Sequence, residues 1–330
     1  MRNKILASVN NILNNKWFHI IVGLTTFVSI FIYFRNVEGD FSKIFEIKNP
    51  IFLLFALPFV LYALIAHVIA WRMIINHYGH NIGFWHALYI YYFSNLSRYI
   101  PGNYWYIILK STVGVKYGID LATGLKGTGI ELIFNTVVGF SFVILGLAFR
   151  LINLEKEQLY WLALFLVVGI VFYLIYYLLD RMVKKNGTHQ EAESASTISI
   201  ILFELTHSWT FSFKEIGLLI LLFSSAWIAQ GFTFYFVLSA WSMAGLSNYL
   251  LIMVTYVTAW FLGFINPIAQ NGMGVREAIF IVTLSGLYSN AVILGAGIGM
   301  RIIGLLGELL LLLLGWVMTK RKTNSTLEDT

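Results

Sequence analysis

Residues 94–105 read Ser-Asn-Leu-Ser-Arg-Tyr-Ile-Pro-Gly-Asn-Tyr-Trp, and residues 266–277 read Asn-Pro-Ile-Ala-Gln-Asn-Gly-Met-Gly-Val-Arg-Glu. Each stretch interrupts a long apolar run with a proline, at least one glycine and an arginine. Proline lacks the N–H that a helix interior needs, and glycine admits conformations other residues avoid. The two stretches therefore predict helix breaks flanked by apolar helices. The chain has only 4 prolines, and one falls in each break.

The surroundings set the solvent. Of the 330 residues, 58% are hydrophobic and 12% are charged, against about 25% charged in a typical soluble domain. A fold of this size cannot hide so much apolar surface from water, so the bilayer must be the medium for most of it. Runs long enough for a membrane helix, which needs about 20 apolar residues, lie near 17–34, 51–75, 84–99, 120–149, 159–180, 215–241, 249–266 and 290–319. Two further stretches, 103–115 and 275–288, follow the breaks and are too short to cross. The fold class expected is an all-α polytopic membrane protein of about eight spans, with two short broken or re-entrant helices, forming one integral membrane domain over 1–330. Irregular backbone at membrane depth survives only where protein or a water-filled cavity receives it. The breaks thus point to an internal polar site.

Basic residues cluster before the first run (Arg2, Lys4, Lys16), after residue 180 (Arg181, Lys184, Lys185) and at the end (Lys320, Arg321, Lys322). On the positive-inside rule this predicts cytoplasmic termini in a cell (inner) membrane. The net charge of +6 is topological on this reading, and no nucleic-acid partner is expected. A polar linker at 186–197 divides the chain into halves. Two pseudo-repeats, at about 84–150 and 249–319, share an order: a span, a Pro/Gly break, a short helix, then a long glycine-bearing helix with an intramembrane charge. At an offset of 170, Gly102 aligns with Gly272, Asp120 with Asn290, Gly127 with Gly297 and Glu131 with Arg301. An odd number of crossings between corresponding elements would invert one repeat relative to the other, an arrangement common in transporters.

Candidate substrate-binding residues follow from the same features. Arg98 carries a rigid fork suited to phosphate, and Lys110 adds a point charge. Pro101, Gly102 and Asn103 open the short helix, whose free N–H groups suit an anion. In the second break, Gly272 and Gly274 permit a tight loop, with Arg276 and Glu277 in the first turn after it. Deeper in the long helices lie Glu131, with Asn135 one turn on, and Arg301, with Glu308 two turns on. Charges at such depth must face the protein interior or a cavity, and a Glu131–Arg301 ion pair is the structural alternative to a role on substrate. His77, His80 and His86 are near one another in sequence, but neither they nor any other residues form a metal-ligand pattern. No catalytic residue, metal or cofactor is expected.

The elements RYIPGNYW at 98–105 and NPIAQNGMGVREA at 266–278 resemble those of the lysylphosphatidylglycerol synthase transmembrane-region family, along nearly the whole chain. Ala269-Gln270-Asn271 departs from the more proline- and glycine-rich loop usual there. The resemblance implies a flippase-like role on a lipid, an anionic phospholipid or a polyprenyl-linked lipid, with Arg98, Pro101, Gly102, Gly272, Gly274, Arg276 and Glu277 as the positions that matter. The sequence stops at Thr330, short of a soluble synthase domain, so synthase activity is not expected. Other functions compatible with the residues are an integral-membrane transferase, with Glu131, Asp120 or Glu277 as base, and an accessory subunit of a separate lipid-modifying or glycan-biosynthesis enzyme.

Overall fold

The computed structural model describes residues 44–99, 105–148, 211–265 and 272–328. The expected runs at 17–34 and 159–180 and the linker at 186–197 lie outside these residues, as do Pro101, Gly102 and Asn103. Eight α-helices and no strands occur among the described residues: α1 (Ile51–His77), α2 (Phe84–Asn95), α3 (Trp105–Val115), α4 (Leu121–Ala148), α5 (Phe213–Trp241), α6 (Tyr249–Ile265), α7 (Val275–Leu284) and α8 (Asn290–Glu328). Five helical stretches are long and apolar enough to cross a membrane, in α1, α4, α5, α6 and α8. Their outward faces carry exposed Leu54, Phe55, Val137, Leu221 and Leu313, which lipid covers at no cost in hydration.

The expectation of about eight spans is therefore larger than what the described residues contain. Residues 84–99 differ most. There the α-helix stops at Asn95 after 12 residues, about 18 Å at 1.5 Å per residue, and tightens into a 3₁₀ turn over Leu96–Tyr99. Local side chains compete for the backbone at this point: the Ser97 hydroxyl donates to the Ser94 carbonyl at 2.6 Å and Arg98 Nε to the Asn95 carbonyl at 3.4 Å. The short helices α3 and α7, of 11 and 10 residues, are only about 15 Å long and cannot cross.

Helices α1 and α5 form a central antiparallel pair. At one end His77 Nδ1 lies 2.8 Å from Glu215 Oε1, and at the other the Asn49 N–H donates to the Ala240 carbonyl at 2.9 Å. The start of α5 is fixed by reciprocal caps: Glu215 N–H to Ser212 Oγ at 3.3 Å, and Ser212 N–H to the Glu215 carboxylate at 2.7 Å. This is the expected satisfaction of orphan helix-end donors.

The remaining helices pack round the pair in matching fashion. Helix α2 runs along α8, and α6 along α4; α3 folds back on α4, and α7 on α8; α1 and α5 each touch both α4 and α8. The turn between α3 and α4 lies at the His77–Glu215 end, where the His80 ring meets the Gly118 carbonyl at 2.9 Å and Asp120 Oδ2 at 2.8 Å. The turn between α7 and α8 lies at the opposite end, where Tyr288 bonds Asn248 and the Trp241 indole N–H donates to the Ile44 carbonyl. Asp120 also caps α4, accepting from Thr123 N–H at 2.8 Å.

Close approach of α3 to α4 depends on Gly124, where an added Cβ would come 2.9 Å from Ser111 Cα. Gly217 on α5 has open space around its missing Cβ. Gly124→Val is expected to destabilise the protein by about 1–3 kcal/mol through overpacking, read as a lower unfolding temperature in detergent. Gly217→Ala is expected to leave that temperature unchanged or raise it slightly.

Candidate functional site

Within the bundle lies a cavity of about 390 Å³ to which all eight helices contribute side chains. Its position follows from the breaks. Because α2 ends early and α3 and α7 do not cross, no described helix fills the middle of the bundle at these levels. Arg98, Glu131, Arg276, Arg301 and Glu308 all line this one cavity. Glu131 is ten residues into α4, about 15 Å along it.

The charges are held in pairs. Arg98 Nη2 donates to Glu308 Oε1 at 2.5 Å, joining the 3₁₀ turn to α8. Lys110 Nζ donates to Glu131 Oε2 at 2.9 Å, joining α3 to α4. Arg301 grips Glu277 Oε1 through both Nε and Nη2 at 2.8 Å, joining α8 to α7. The Glu131–Arg301 pair considered from sequence is not formed; each group pairs instead with the short helix of its own hairpin. The signs are reversed between hairpins, a cation on α3 facing an anion on α4 and an anion on α7 facing a cation on α8.

Lys110 stands apart from the role expected of it. Its residue is 0% exposed, it does not line the cavity, and its ammonium sits 3.6 Å from the Tyr91 ring centroid, with Trp71 at 5.5 Å and Tyr106 at 5.7 Å. Aromatic faces and a carboxylate together compensate a desolvated ammonium. Tyr91 in turn donates its hydroxyl to Glu131. Lys110 thus orients Glu131 from behind. Glu277 likewise sits behind Arg301, and its other oxygen accepts the Gly274 N–H at 2.8 Å, closing the first turn of α7.

The glycines of the second break shape the wall. Gly272 has φ +67° and its added Cβ would lie 2.8 Å from Gly263 Cα, so only glycine fits. Its carbonyl accepts from Arg301 Nη2 at 3.4 Å, and Gly274 has φ +82°. The Arg276 side chain crosses over Gly263, whose missing Cβ leaves it room: one built there would meet Arg276 Cγ at 3.0 Å.

Several wall residues were not singled out from sequence: His67, Tyr91, Tyr106, Trp227, Gln230, Tyr256 and Trp260. A signal existed for two of them. His67 and Gln230 are polar groups in the middle of apolar runs, a position that polar residues occupy at a cost. The aromatic ones carried no signal, since rings are abundant throughout the chain. Asn135, noted only as a neighbour of Glu131, lines the cavity as well. The three clustered histidines go separate ways: His77 to Glu215, His80 to Asp120, and the His86 ring against Tyr117.

Long apolar helices around a buried, charge-paired cavity define a multi-pass helical membrane protein with a polar cavity inside its bundle. The chain belongs to the family described as the lysylphosphatidylglycerol synthase TM region, whose family model matches residues 20–315. That membership puts it among membrane proteins of lipid-related processes. No curated protein matches the chain.

Removing one partner of a buried pair leaves an uncompensated charge, at a cost of about 3–5 kcal/mol. Lys110→Met is therefore expected to lower the unfolding temperature strongly, and the double change Lys110→Met with Glu131→Gln to recover most of the loss. Thermal unfolding of the purified variants reads both.

Proposed function

We propose that this protein carries a phosphate-bearing lipid across the bilayer, holding its headgroup in the central cavity. The observation that carries this reading is the presence of three guanidinium groups, Arg98, Arg276 and Arg301, on the wall of one cavity within the membrane-spanning bundle. Guanidinium forks bind phosphate oxygens bidentately, and their attraction is strong where water is excluded. The family's name, which refers to a phospholipid synthase, supports a lipid as cargo. An anionic phospholipid and a polyprenyl-linked phosphate both present the required chemistry.

The packing supports movement as well as binding. The helices fall into two sets, α1–α4 and α5–α8, that contact each other in equivalent ways, with their hairpin turns at opposite ends of the bundle. We read these as inverted repeats, each one helix longer at its start than the order of breaks suggested. Rocking of one repeat against the other would expose a site between them to each side in turn. Exposed Lys116, Lys214, Lys320 and Arg321 all belong to the His77–Glu215 end, which favours that end as cytoplasmic.

Carriage is favoured over a transferase reaction by the state of Glu131 and Glu277, two of the carboxylates that the sequence offered as bases. Glu131 is engaged by Lys110 and Tyr91, and Glu277 by Arg301 and the Gly274 N–H. A general base needs a lone pair within reach of its proton, and these oxygens are committed to structural partners.

Reconstituted vesicles carrying a fluorescent anionic phospholipid provide the test. Arg276→Gln, and separately Arg98→Gln combined with Glu308→Gln to avoid a stranded carboxylate, are expected to slow translocation about tenfold or more. Lys116→Gln, on the exposed turn before α4, is expected to leave the rate unchanged. Wild-type rates in both cavity variants would remove the cavity from the transport path.

A further inference from the structure

Beyond phosphate, the cavity wall specifies what else the headgroup carries. Two buried acceptors on that wall have no hydrogen-bond partner among the described residues: Asn135 Oδ1 and Glu308 Oε2, on residues each 8% exposed. Buried polar atoms are rarely left unsatisfied, and such exceptions mark sites awaiting a partner. Both atoms accept, so the missing partner donates.

An ammonium or a hydroxyl could supply that donor, and the charge balance separates them. Counting the cavity wall with the groups paired directly to it, the described residues supply four cations, Arg98, Lys110, Arg276 and Arg301, against three carboxylates, Glu131, Glu277 and Glu308. The cluster carries one net positive charge. One phosphodiester neutralises it. A headgroup with an added ammonium would leave the occupied site charged inside a low-dielectric medium, where an unbalanced charge is disfavoured. Hydroxyl donors add no charge.

The rest of the wall suits the same chemistry. Trp227, Trp260 and Tyr256 line it, and the Trp227 and Trp260 rings meet edge to face with centroids 5.2 Å apart. A polyol or sugar presents apolar C–H faces to such rings and O–H groups to acceptors at its rim. Gln230, whose Oε1 accepts from Tyr256 O–H at 3.3 Å, adds an amide to the same wall.

We infer that the cavity selects a singly charged phosphodiester lipid whose headgroup bears hydroxyls, a polyol or a sugar, in preference to one bearing an amine. The inference rests on the lipid-carrier reading and narrows its cargo. The arginines hold the phosphate, and Asn135 and the outer oxygen of Glu308 accept from the headgroup hydroxyls.

Binding of three lipids to purified protein, measured in competition by native mass spectrometry, tests this. Phosphatidylinositol offers one negative charge with hydroxyls, phosphatidylmethanol the same charge without them, and phosphatidylethanolamine an added ammonium. Wild type should prefer phosphatidylinositol over phosphatidylmethanol by about fivefold or more, as one to two new hydrogen bonds give, and bind phosphatidylethanolamine weakest. Asn135→Leu, which removes one of the two acceptors, should lower the first ratio about twofold or more while leaving phosphatidylmethanol binding intact, which also reports that the variant is folded. Equal wild-type binding of phosphatidylinositol and phosphatidylmethanol, or tightest binding of phosphatidylethanolamine, overturns the headgroup assignment alone. Binding of none of the three and of no polyprenyl phosphate, or equal competition by glycerophosphoinositol without acyl chains, overturns the carrier reading instead.

Discussion

A charge placed where water cannot reach must be compensated by the protein, and the rest of this structure depends on that constraint. Lys110–Glu131, Arg301–Glu277 and Arg98–Glu308 each bridge two separate elements. The first two fasten the short helices α3 and α7 to the long helices behind them, so that segments too short to cross are still fixed at depth. The third ties the end of α2 to α8 across the cavity. Between them the pairs hold open a space that side chains would otherwise close, and they do so with groups whose outer atoms still face that space.

Close backbone contacts serve the same end. Helix α2 meets α8 where a Cβ on Gly315 would come 2.9 Å from the Tyr89 nitrogen, and Gly124 brings α4 against α3. Small residues substitute for hydrophobic collapse in lipid, where apolar side chains gain nothing by burial against one another. Packing of this kind fixes helix rotation, and rotation decides which polar atoms reach the cavity.

Much of the architecture was legible in the sequence. Length and apolarity located α1, α4, α5, α6 and α8 to within a few residues at most ends, and the Pro/Gly clusters foretold that α3 and α7 would be short. The early end of α2 was not legible, because it turns on Ser97 and Arg98 bonding to nearby carbonyls rather than on hydropathy. For the site, Arg98, Glu131, Arg276, Arg301 and Glu308 were visible as charges out of place and do line one cavity. Their partners were not visible. Periodicity assigns a residue to a helix face, but Arg98 meets Glu308 across 210 positions, and nothing local encodes that. Lys110 misled for the same reason: its charge was plain, yet the rings of Tyr91, Trp71 and Tyr106 that turn it away from the cavity belong to three helices.

The reversed polarity of the two hairpins bears on ancestry. For halves descended from one duplicated unit, the aligned positions Glu131 and Arg301 must once have held the same residue. A single substitution there would have set two like charges face to face in a buried pair, or stranded one of them. Exchange of sign is least costly through a neutral hairpin, in which both partners lose their charge before new ones are acquired elsewhere on the short helix.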